Sequence, residues 1–180
     1  MAFVQGFPTT HNGTLTSALQ NLDGGTLKLS QSTIFTAFQG VPSQVPTEPI
    51  LGIEFSISAG IGGQSGLNST TVWSVSINGG DNFSVLTATD DNFPEFSTIG
   101  TVTLGSPTEQ YGLDLSQESG INLQTGIILK YNSIAANGTG FSALVIYIDQ
   151  IIMKVYYAQS VQAIKLNQGV IKLSSGKIVL

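Results

Sequence analysis

Phe141-Ser-Ala-Leu-Val-Ile-Tyr-Ile-Asp-Gln-Ile-Ile-Met-Lys-Val-Tyr-Tyr-Ala158 is the most apolar run of the chain. A membrane-spanning helix would have to carry Asp149, Gln150 and Lys154 in its middle, which is costly in a bilayer. The run alternates instead. Phe141, Ala143, Val145 and Tyr147 share one phase, and Ile151, Met153, Val155 and Tyr157 continue it. A period of two is the mark of a strand with one buried face. Asp149-Gln150 reads as a bulge or bend between a strand at Phe141–Asp149 and another at Ile151–Tyr157. As a buried acid, Asp149 would await a partner; as a bend residue it accepts backbone N–H groups, and the second role is the commoner one.

The same alternation recurs upstream. Leu51, Ile53, Phe55 and Ile57 face one way, with Glu54, Ser56 and Ser58 opposite. Trp73, Val75 and Ile77 form a further face. Asn78-Gly79-Gly80-Asp81 is a hairpin-turn sequence, because Asn and Gly tolerate positive φ, and Phe83, Val85 and Thr87 lead back out. More strands are predicted at Ile99–Leu104, Tyr111–Leu115 and Gly126–Tyr131. No segment has a convincing helical period, although Ser17–Leu22 and Leu115–Ser119 could each make one turn. Short strands separated by Gly, Asn and Pro turns predict an all-β sandwich or barrel.

Composition agrees. The chain has 180 residues, enough for one domain with its own core. Charged residues are 9% of it, against a usual value of about 25%, while 41% is apolar. Disorder and coiled coil both need more charge than this. Six Lys, no Arg and eleven acids leave a formal charge of −5, which argues against nucleic acid as a partner. There is no Cys, hence no disulfide, thiolate metal site or cysteine nucleophile. Met1–Pro8 shows neither a basic nor a long apolar region, so no export signal is expected there.

Catalytic patterns are weak, and the protein is expected not to be an enzyme. The one His, His11, has no nucleophile elbow near it. Glu54, Asp90, Asp91, Glu95, Glu109, Asp114 and Glu118 could supply a carboxylate pair, but no Arg is present to clamp a substrate. Asp90 and Asp91 are a candidate ligand loop for calcium, weighed against a plain solvated turn. No cofactor is expected. The sequons at Asn12, Asn68 and Asn137 are about as frequent as chance gives in so Ser- and Thr-rich a chain. Trp73 and Phe83 could line a sugar platform, but strand positions favour a core role. Two or more outward aromatics beside an acid, drawn from Tyr131, Tyr147 or Tyr156, would instead mark a carbohydrate site.

The C-terminus repeats every seven residues. Ile164, Ile171 and Ile178 align, as do Leu166, Leu173 and Leu180, with Gly169 and Gly176 between. Glycine excludes a coiled-coil heptad, so each unit reads as four strand residues plus a turn. A meander completing the sheet, strands packing against other subunits, and an arm laid across a neighbour are all compatible with the repeat. Lys165, Lys172 and Lys177 stand here without one acid, which suits contact with an acidic body or protection of an edge.

Six segments taken in order resemble a jelly-roll module that recurs in bacteriophage virion proteins. Phe38-Gln-Gly-Val-Pro42 resembles its "F-x-x-I-P" entry, and Pro49-Ile-Leu-Gly-Ile-Glu-Phe-Ser-Ile57 its "I-x-G-I-x-V-x-I" strand. Trp73-Ser-Val-Ser-Ile-Asn-Gly-Gly-Asp-Asn-Phe-Ser84 is similar to "V-x-L-S-x-D-G-G-x-x-W-T". Ile99–Gly105 followed by Gln110-Tyr-Gly-Leu-Asp-Leu115 resembles "L-G-x-x-x-x-x-W-G-L-x-W". Gly126-Ile-Ile-Leu-Lys130 resembles "F-G-V-x-L-x", and Ile148–Tyr157 the closing "I-D-x-I-x-V-x-V-Y-Y".

The resemblance implies an antiparallel jelly-roll β-sandwich over residues 30–158; outside it, residues 1–29 read as an N-terminal lead or arm and 159–180 as a β-repeat arm. It implies a structural protein of the virion, a capsid decoration protein assembling as a homotrimer through edge strands and arms, with major capsid or tail proteins as partners. From the seven-residue repeat, not from the resemblance, the interface residues would be Ile164, Leu166, Ile171, Leu173, Ile178 and Leu180. The alternative is a tail, neck or fibre component that binds a host glycan. No nucleic acid or membrane is expected as a partner.

Overall fold

The structure is a computed structural model, and it describes residues 1–16, 19–20, 23–41, 49–62, 69–77, 79–80, 83–86, 98–110, 122–136, 145–158, 163–166 and 169–172. Among these residues the fold is all-β, every strand pairing is antiparallel, and there is no helix. The strands are β1 (Ala2–His11), β2 (Thr14–Leu15), β3 (Leu27–Leu29), β4 (Thr33–Gln39), β5 (Ile50–Gly62), β6 (Ser69–Ser76), β7 (Ser84–Leu86), β8 (Gly100–Gly105), β9 (Ile128–Ala136), β10 (Val145–Tyr157), β11 (Ala163–Leu166) and β12 (Gly169–Lys172). The one-turn helices allowed at Ser17–Leu22 and Leu115–Ser119, and the strand at Tyr111–Leu115, fall mostly or wholly outside the described residues.

A ten-stranded sheet runs β7-β6-β9-β4-β1-β10-β5-β8, with β2 beside β1 and β3 beside β10. It curls strongly, and β1 is where it turns. Ala2–Gly6 pairs with Met153–Tyr157 of β10, whereas Phe7–His11 pairs with Phe35–Gln39 of β4. The two halves of the sheet therefore share this strand and close over one core. Phe38 of β4 meets Phe55 of β5 with ring centroids 6.1 Å apart, joining the halves in a sandwich-like packing. The crossing demands close backbone approach. A Cβ on Gly6 would lie 2.5 Å from the Gln39 carbonyl oxygen, and one on Gly40 would lie 2.8 Å from that of Gln5. Glycine alone fits both places, and Gly40 also has φ of +92°.

Residues 1–29 are thus not a lead outside the body. β1 lies inside the sheet, and β3 pairs with Ile146–Ile148 of β10. Between them the carbonyl of Leu19, itself fully buried, accepts the N–H of Ile151. The boundary expected after residue 29 does not divide the sheet. Sequence alternation missed β1 because Phe3 faces out while Gly6 faces in, which cancels the period-2 signal.

β10 corrects a second expectation. It is one strand, not two, with a register shift between Ile148 and Gln150 against β5. Asp149 is the extra residue of a bulge, 2% exposed, and its Oδ1 accepts the N–H of Gly24 at 3.2 Å. The bulge changes the phase. Ile146 and Ile148 face the core before it, and Ile151, Met153 and Val155 after it, so Val145 and Tyr147 lie on the outer side. The β5 reading holds: Ile53, Phe55 and Ile57 are buried and Glu54 and Ser56 point away. The β6–β7 hairpin also forms, with Gly79 and Gly80 at positive φ near its tip.

Candidate functional site

The inner face of the curled sheet is packed with apolar and aromatic side chains among the described residues. Trp73, Tyr131 and Phe35 stack at 5.2 Å (Trp73–Tyr131) and 6.3 Å (Phe35–Trp73), and the Trp73 indole N–H donates to Thr71 Oγ1 at 3.0 Å. Trp73 is fully buried and Tyr131 is 2% exposed, so both belong to the core. Burial pushes the Tyr131 phenol up to about 12. Phe83 is half-buried, with Lys130 Nζ 5.3 Å from its ring centroid.

The outer face of β1, β10 and β5 is different. Val4, Val155 and Ile53 turn inward, so their neighbours Phe3, Tyr156, Lys154 and Glu54 turn outward. Phe3 and Tyr156 are register partners whose tilted rings lie 5.6 Å apart. Phe3 is 51% exposed, and with Met1 it is one of two large hydrophobic residues exposed among the described residues. In the next row Gln5, Lys154 and Glu54 lie side by side. Lys154 Nζ donates to Glu54 Oε1 at 2.8 Å, and the Tyr156 hydroxyl donates to Oε2 at a long 3.4 Å. The carboxylate thereby holds the Lys154 ammonium above the usual lysine value. Burial, then the Glu54 charge, raises the Tyr156 phenol, so it keeps its proton.

The Ser106–Glu109 turn closes one side of this patch. Its Pro107 backbone sits so near Gly52 that a Cβ there would be 2.6 Å away, and the Glu109 carbonyl accepts the N–H of Ile53. Beyond it β8 presents exposed Thr101 and Thr103. At the far end of β10, Tyr147 lies over Gly62 and faces Lys28, whose Nζ is 5.9 Å from the ring.

Of the candidate carboxylates only Glu54 and Glu109 lie among the described residues. Glu54 is paired with Lys154, Glu109 lies in the turn after β8, and Asp149 is committed to the bulge. Asp90 and Asp91, with Glu95, Asp114 and Glu118, lie outside the described residues. No cluster of metal-ligating residues occurs among the described residues, and no helix there is long and apolar enough to cross a membrane. His11 Nδ1 is buried without a hydrogen-bond partner at the end of β1. Asn12, the first sequon residue, forms the β1–β2 turn with Gly13, and its Oδ1 accepts the N–H of Ile34. Asn68 and Asn137 lie outside the described residues.

Ile164 and Leu166 are on β11 and Ile171 is on β12, while Leu173, Ile178 and Leu180 lie outside the described residues. In the β11–β12 hairpin Ile164 is the register partner of Ile171, while Lys165 stands opposite Val170 and Leu166 opposite Gly169. Among the described residues this hairpin is a two-stranded sheet of its own, separate from the main one. No family model, curated protein or solved structure matches the chain.

Proposed function

We propose that the protein is a non-enzymatic structural component of a bacteriophage particle, a jelly-roll module that decorates the capsid as a homotrimer. Its work is interface burial. The observation that carries this reading is the β11–β12 hairpin, which among the described residues forms a two-stranded sheet of its own. An isolated two-stranded hairpin is marginal in water and needs another surface to become stable. Charge favours a surface on the body, since residues 1–158 hold all eleven acids and three lysines, whereas 159–180 hold three lysines and no acid. Main-sheet strand β8, Gly100-Thr-Val-Thr-Leu-Gly105, supports the same reading. It ends the sheet order and carries no charge or proline of the kind that protects solitary edges.

The test is the mass of the full chain in solution by light scattering. A trimer is expected, and Ile164→Lys with Ile171→Lys should reduce it to monomer while leaving the β circular dichroism intact. A wild-type monomer at micromolar concentration, or a trimer indifferent to both substitutions, would refute the reading. A tail, neck or fibre position is the second reading, and a density map of the intact particle separates it from decoration.

A further inference from the structure

We infer that the outer face of β1, β10 and β5 carries a carbohydrate-binding site, with Phe3 and Tyr156 as the stacking platform and Glu54, Lys154 and Gln5 as its polar border. The inference is independent of where the protein sits on a particle. Aromatic faces are electron-rich and attract the polarised C–H groups of a pyranose ring. Phe3 offers such a face to solvent, and its neighbour Tyr156 extends it. Sugar binding also needs fixed hydrogen-bonding groups beside the ring, few and well placed. Lys154 and the Tyr156 hydroxyl hold the Glu54 carboxylate in one position, yet each carboxylate oxygen keeps acceptor capacity for a sugar hydroxyl. Gln5, exposed in the same row, adds an amide that can donate and accept.

The size of the patch selects the occupant. Two rings are far smaller than the roughly 800 Å² per partner of a stable protein interface. Away from the rings the face continues as Ser56, Thr101 and Thr103, which suit hydroxyl-rich ligands better than an apolar partner. Glu54 and Lys154 neutralise each other, so the ligand class is a neutral hexose polymer rather than an acidic one.

Native affinity electrophoresis of the full chain, in gels cast with dextran, galactomannan, xyloglucan or mixed-linkage β-glucan, tests this. Retardation by at least one polymer is expected. Phe3→Ala should weaken it by about tenfold or more, the scale of one lost aromatic contact. Phe3→Trp should preserve it, and Glu54→Gln should weaken it with the platform intact. Thermal midpoint and solution mass should stay unchanged in Phe3→Ala. No retardation by any of the four polymers would overturn the inference. So would retardation indifferent to Phe3→Ala, or a Phe3→Ala chain whose oligomeric mass changes, which would make the patch a contact between copies.

Discussion

The chain places two aromatic groups on opposite faces of one curled sheet. Phe35, Trp73 and Tyr131 meet inside, at ring separations of 5.2 and 6.3 Å, and Phe3 and Tyr156 meet outside at 5.6 Å. The contact geometry is similar, but the surroundings are not. Inside, the rings displace water and the one indole N–H is satisfied by Thr71. Outside, half of Phe3 stays wet and the neighbouring row is charged. Ring contact alone therefore says little about purpose, and burial decides whether an aromatic pair holds the fold together or waits for a ligand.

The sharpest way to break this contrast is truncation. Trp73→Ala should cost about 3–5 kcal/mol in urea unfolding, from lost transfer energy and the cavity left behind. Phe3→Ala should change stability by no more than about 0.5 kcal/mol, as for other surface substitutions. Comparable losses at the two positions would erase the distinction between the inner and outer aromatic groups.

Alkaline pH probes the inner cluster from another side. Tyr131 ionises near 12 in the folded chain against an ordinary value of 10.0, so its contribution is complete below pH 10 and lost as pH rises toward 12. Across that window the loss should amount to about 2–3 kcal/mol, from about 1.4 kcal/mol per pKa unit. Lys154, also raised, loses its contribution in the same direction. Unfolding of Tyr131→Phe should show a markedly shallower alkaline decline than wild type; identical declines would contradict the assignment to Tyr131.

A smaller effect than either core prediction belongs to the outer ion pair. A double-mutant cycle of Lys154→Met and Glu54→Gln should give a coupling of about 0.2–1 kcal/mol, reduced by added salt, because both side chains are partly solvated. A larger, salt-insensitive coupling would mean that the outer row stabilises the fold as the inner one does.

Much of this contrast was legible in sequence. Trp73, Val75, Ile53, Phe55 and Ile57 stood at alternate positions of β-prone segments, and all are buried. Asp149-Gln150 announced an irregularity in β10, and the bulge is there. The outer patch was half visible: Tyr156 beside an acid was one of the pairs to look for, but Tyr131, named with it, went to the core. Phe3 was missed altogether. Its strand has no apolar alternation, since the inward positions of its first half are Ala2, Val4 and Gly6.

By itself the sequence determined that the chain forms strands and which side of each regular strand is apolar, because the pleat turns a local period of two into two faces. Tertiary structure alone decided who lies beside whom. The crossing of β1 between halves of the sheet depends on Gly6 meeting Gly40, residues far apart in the chain, and the phase of β10 depends on one extra residue seen only against β5. Such pairings are set by long-range contact and closure of the core, for which no local pattern in the chain is a substitute.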